Sequence, residues 1–212
     1  IYAIHGDHNL AYPGYVVLTF GLGHNPNDHG GHDFTKYANT PIARLNNGYG
    51  SQGTIPLPDY YEQFALRCAN FVAASRGCSR WIVGNEPNME IERPEGRPIT
   101  PELYAACYVL CRSAIHAIPG HETDEVLLAA IAPWNIQTDY PGNPSGDWIT
   151  YFQDVQFQVG TCDGFALHTY VREQTADSVV VNSRMDPPFN DYHSGFQAYT
   201  DWMKGILLQY RG

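Results

Sequence analysis

The chain has 212 residues, the length of one domain, enough to bury roughly 70% of its unfolded surface in a single core. Its 22 acidic and 12 basic residues give a net charge of −10, which disfavours nucleic acid and anionic membrane surfaces as partners. No run is long and apolar enough to span a bilayer, and no basic-then-apolar leader opens the sequence.

In chain order, residues 2–5, 15–20 and 41–46 read as short apolar strands. Residues 58–74 follow as a helix that opens on Pro58 and aligns Phe64, Cys68, Phe71 and Val72 on one face. A fourth strand is expected at 80–85. The next helix begins at Thr100-Pro101, with a capping side chain and proline at the first helical position. Its stripe is Leu103, Cys107, Leu110, Cys111 and Ala114, and Pro119-Gly120 ends it. A fifth strand at 126–132, a helix at 147–159, a sixth strand at 164–170 and a helix at 194–210 complete the reading. The five cysteines form no Cys-x-x-Cys pair, which excludes a zinc ribbon; Cys68, Cys107 and Cys111 sit at apolar helical positions as small hydrophobes.

The connections after strands (48–57, 87–99, 134–146, 171–193) are long, and those after helices are short. One elaborated end of a parallel sheet is the arrangement found at the C-terminal face of a TIM-type (β/α)8 barrel. The expected fold is therefore α/β, a single incomplete barrel domain over 1–212 with about six βα units. An open doubly wound sheet is the alternative, but no Gly-x-Gly-x-x-Gly or Gly-Lys-Ser/Thr follows an early strand.

Trp81 to Asn88 runs from an apolar strand directly into Asn85-Glu86. Burying a carboxylate at a strand end costs free energy unless it is hydrogen-bonded or kept protonated, and a raised pKa is what a general acid needs. Gly84-Asn85-Glu86-Pro87 resembles the fourth-strand motif of clan A glycoside hydrolases. The resemblance implies that Glu86 is the acid/base, that Asn85 binds the sugar 2-hydroxyl, that the substrate is an oligo- or polysaccharide, and that no cofactor takes part. It also implies retention of configuration, with the nucleophilic carboxylate on a seventh strand beyond Gly212. The open edge would then be covered by the missing barrel segment or by another chain. It favours an extracellular setting, although Ile1 opens without methionine and the compartment stays open.

In the sixth run, alternation places His168 and Tyr170 on one side. The resemblance implies that this His-x-Tyr pair holds the nucleophile and contacts substrate. Arg44 interrupts an apolar run and needs an anionic partner, for which a catalytic carboxylate is the natural candidate. Asn46 follows it, placed to meet sugar hydroxyls. Trp134 and Asn135 end the fifth run, an indole to stack on a pyranose and an amide to fix a hydroxyl.

Two other classes stay open. His24, His29 and His32, with His5, Asp7 and His8, could serve a metal-dependent hydrolase, although no His-Glu-x-x-His spacing occurs. A non-catalytic carbohydrate-binding barrel would keep the cleft without the nucleophile.

Overall fold

The computed structural model describes residues 3–5, 14–170 and 176–211; the candidates Asp7 and His8 lie outside them. The strands are β1 (Ala3–His5), β2 (Tyr15–Gly21), β3 (Thr40–Asn46), β4 (Arg80–Val83) and β5 (Glu125–Leu128). All neighbours pair in parallel, in the sequential order β1-β2-β3-β4-β5. The helices are α1 (Tyr61–Ala73), α2 (Pro101–His116), α3 (Trp148–Val159) and α4 (Ala198–Gly205), none long and apolar enough to cross a membrane.

The expected TIM-type barrel with six βα units is corrected to an open, five-stranded parallel sheet among the described residues. The sixth run is not a strand. It touches β5 through a single bridge, Leu128 with Phe165, and its backbone then turns to other partners. The His168 carbonyl, which a sixth strand would commit to a ladder, accepts the indole N–H of Trp202 at 2.9 Å.

Local chemistry sets the helix ends. Thr100 accepts from the Leu103 amide ahead of α2, with Pro101 in its first turn. Asp147 accepts from Ile149 and Thr150 N–H at the start of α3, and Gly160 ends α3 with φ 67°.

Helices α1, α2 and α3 pack side by side and join the sheet in one apolar core. On the sheet that core takes Ala43, Leu45, Trp81, Val83, Val126 and Leu128. Alternate residues point away from it, and register aligns Thr19, Arg44, Ile82 and Leu127 as one row across β2 to β5 on the opposite face. Tyr104 of α2 ties the layers together. Its hydroxyl donates to the Val83 carbonyl at 2.8 Å and accepts from the Ala129 amide at 2.6 Å.

Candidate functional site

The C-terminal ends of β3, β4 and β5 gather the polar side chains, as ligand sites do in parallel α/β sheets. Past Val83 the chain keeps its place beside β3 and β5: Gly84 N–H donates to Leu45 O, and Glu86 N–H to Ala130 O, both at 2.9 Å. Gly84 has φ 82°, a glycine conformation. Glu86, at φ 40°, and Trp134, at φ 60°, adopt left-handed backbone without being glycine.

Glu86 is the centre of the first cluster. Its Oε1 receives the Tyr170 hydroxyl at 2.6 Å and lies 2.6 Å from His168 Nδ1, which donates when that nitrogen carries the ring proton. The three polar atoms form a compact triangle, with Tyr170 Oη 2.7 Å from His168 Nδ1. The Glu86 side chain is 13% exposed. Burial pushes its carboxyl up, but the hydrogen bonds from His168 and Tyr170, with the charges of His168 and Arg44, outweigh burial and hold it below the ordinary range. Of the two ways to keep a buried carboxyl, hydrogen-bonded or protonated, the geometry here is the first: two donors on one oxygen favour the anion. The same contact and burial push the Tyr170 hydroxyl up.

The second cluster is a relay from Arg44. Its Nη1 donates to Asn85 Oδ1 at 2.5 Å and its Nε to Thr19 Oγ1 at 3.0 Å. Asn85 Nδ2 in turn donates to Glu92 Oε1 at 2.7 Å, and its backbone N–H to Thr54 Oγ1 at 2.6 Å. Arg44 thus reaches the carboxylates by its field and through Asn85. Burial lowers the guanidinium pKa, opposed by Glu92, Tyr49, Glu86 and Tyr170.

Trp134 forms a wall beside Tyr170, with ring centroids 6.2 Å apart, and its indole N–H donates to His193 O at 2.8 Å. His193 is itself fixed by Asp201 of α4, whose carboxylate accepts from its backbone N–H and contacts its Nδ1. Adjacent residues of α4, Asp201 and Trp202, therefore support Trp134 and His168.

Glu86, Asn85, Arg44, His168, Tyr170 and Trp134 thus form one connected rim. Asn46 shares the Arg44 face but is 1% exposed, and its Oδ1 has no partner among the described residues. Asn135 turns outward and exchanges hydrogen bonds with Gln137. His24 and His32 have different partners: His24 meets Asn47 Oδ1 at 2.9 Å and stacks on Tyr60, whereas His32 meets the Tyr37 hydroxyl at 2.9 Å. Among the described residues no three His, Cys, Asp or Glu side chains converge as a metal ion requires, so the His24/His29/His32 metal reading finds no geometry behind it.

Sequence reasoning missed Glu92, Thr54 and Thr19. Glu92 stands in a loop beside Glu90 and Glu95, and nothing in the order of residues separates the inward carboxylate from the outward ones. Comparison with protein-family models finds no match to this chain, and comparison with curated protein sequences finds none either.

Proposed function

We propose that this chain hydrolyses O-glycosidic bonds of an oligo- or polysaccharide at the rim centred on Glu86. The observation that supports this best is the Glu86 carboxylate, largely shielded from water at a strand end and held by His168 and Tyr170 through one oxygen. The other oxygen is then directed by the same geometry, and an oriented anion next to a sugar is suited to accept a proton from water at the anomeric carbon. Asn85 presents a fixed amide beside it, and Trp134 with Tyr170 offers aromatic surface of the kind that stacks on pyranose rings. Glu86 works in this scheme as base, since the pair that binds it stabilises its ionised form.

The test is release of sugar from a panel of aryl glycosides and neutral polysaccharides by the intact chain and by its Glu86→Gln form. Hydrolysis lost in the variant, with the fold intact by circular dichroism, supports the reading. Binding of sugars without turnover favours a carbohydrate-binding protein instead, and turnover abolished by a chelator and restored by zinc returns the metal alternative.

A further inference from the structure

We propose that the C-terminal ends of β2 and β3 form a second sugar subsite, in which Tyr49 and the stacked pair His24 and Tyr60 hold a saccharide unit remote from the one at Glu86. The sugar class of this ligand rests on the glycosidase reading.

The two strands stay joined beyond their ladder, Leu22 N–H donating to Asn46 O at 2.8 Å and Gly23 N–H to Asn47 O at 2.7 Å. After β3 the chain turns back on itself, with Asn47 N–H bonded to Thr54 O at 2.8 Å and Gly48 N–H to Gly53 O at 2.9 Å. Tyr49 stands in the tip of this hairpin. Its ring lies against the end of β2, where a β-carbon on Gly21 would meet Cε2 at 3.4 Å, yet the residue is 60% exposed. A large ring backed on one side and open on the other is a stacking surface.

The hairpin is fixed to the Glu86 rim. Thr54 N–H donates to Glu92 O at 2.9 Å, and Thr54 Oγ1 accepts from Asn85 N–H at 2.6 Å. At Gly53, with φ 73°, a β-carbon would lie 2.5 Å from Pro94 N, so the hairpin presses on the turn Pro94–Gly96. β3 separates β2 from β4, which sets their ends two strand spacings apart, about 10 Å. That span exceeds one pyranose ring, so a unit at Tyr49 and a unit at Glu86 are different units of one oligosaccharide.

His24 adds a polar contact whose sense its neighbours decide. Asn47 Nδ2 donates to Gln52 O at 2.6 Å, so the amide turns Oδ1 toward His24 Nδ1, 2.9 Å away. That oxygen only accepts. Nδ1 therefore carries the proton of the neutral ring, and Nε2 presents a lone pair. Among the described residues Nε2 makes no hydrogen bond, and neither do the hydroxyls of Tyr49 and Tyr60. The imidazole stacks on Tyr60, itself 42% exposed, with centroids 4.5 Å apart at 30°. Gln52 closes the link between the two halves of the subsite, its N–H donating to Tyr49 O at 3.3 Å. Aromatic faces beside one acceptor and two phenols match the C–H faces and hydroxyls of a sugar.

The test measures hydrolysis by the intact chain of an aryl monosaccharide and of the matching hexasaccharide, for each neutral sugar of the panel. Tyr49→Ala and His24→Asn, the latter keeping an amide donor for Asn47, should each cut the preference for the hexasaccharide by ~10-fold, mainly through KM. Tyr49→Trp, which keeps a ring, should retain the preference. Calorimetry on the Glu86→Gln form should show hexasaccharide affinity falling by the same factor when Tyr49→Ala is added. In mildly alkaline solution, imidazole 15N spectra should show His24 Nε2 without a proton. A hexasaccharide preference that survives either substitution, or a proton on Nε2, overturns the subsite while leaving hydrolysis at Glu86 standing. Hexasaccharide binding that depends on Tyr49, without turnover by the parent chain, overturns the hydrolase reading alone. Absence of both binding and turnover overturns the two together.

Discussion

The Tyr170 hydroxyl reaches Glu86 Oε1 at 2.6 Å across 84 positions of sequence, joining the segment after β5 to the end of β4. Replacing Tyr170 with Phe removes one of the two donors that oppose burial at Glu86. The Glu86 carboxyl should then rise, and the acid limb of kcat/KM should move to higher pH, because a base must be ionised to work. At neutral pH the loss should be on the order of tenfold, the worth of one hydrogen bond to a charged group. An acid limb that stays in place would detach Tyr170 from the ionisation of Glu86.

Acid stability provides a second check, independent of activity. The Glu86 carboxyl lies below its unfolded value of about 4.3, so its contribution is fully present above that value and is lost as pH falls through the folded one. Glu92 acts in the opposite sense. Its raised carboxyl contributes below the unfolded value, and that contribution is lost as pH rises through the folded one. Urea midpoints measured from pH 2 to 8 should fall less steeply at the acid end in Glu86→Gln than in the parent. Parallel curves would contradict the assigned direction at Glu86.

The double role of Tyr104 predicts a large cost for a small change. Tyr104→Phe leaves the Val83 carbonyl and the Ala129 amide without their buried partner, which should destabilise the fold by about 2–4 kcal/mol. Equilibrium urea denaturation measures this directly. A cost under about 0.5 kcal/mol would mean that water or a backbone shift replaces the hydroxyl.

Asp201 is 5% exposed and lies behind His193 and thus Trp134. Asp201→Asn should loosen Trp134 and lower stability by about 1–3 kcal/mol. Trp81, Trp148 and Trp202 are each at most 2% exposed, so the acrylamide-quenchable fluorescence belongs to Trp134. Quenching should increase in the variant and vanish in the Asp201→Asn, Trp134→Phe double variant. Unchanged quenching would remove α4 from the support of this wall.

Local signals were legible in the sequence where the physics is local. The cap at Thr100, the proline after it and the stripe through Cys107 and Cys111 define α2, and Asp147 marks the start of α3. The first five strands appear where apolar runs fall, because burial imposes those runs. The sixth run alternates like a strand, yet pairing is decided by distant partners, and the Trp202 indole takes the His168 carbonyl instead. At the site, the meeting of Glu86 and Asn85 with Arg44, His168 and Tyr170 was expected from the motif after the fourth strand, from a charge inside an apolar run and from the His-x-Tyr spacing, although the last pair lies on a segment that is not a strand. Glu92 was not, since its inward position depends on Thr54 and Asn85, residues 38 and 7 positions away. The apolar run before Glu86 shows that its carboxyl is buried but not how it is held, because the two donors on it come from distant residues.

Glu86 and Trp134, in the segments that follow the neighbouring strands β4 and β5, hold left-handed backbone that costs a side-chain-bearing residue on the order of 1–3 kcal/mol and glycine little. Glycine at either position would relieve that backbone and erase the carboxylate or the indole. Variants screened for heat resistance alone are therefore drawn toward losing chemistry at this rim, and a campaign to harden the protein should hold these two positions fixed.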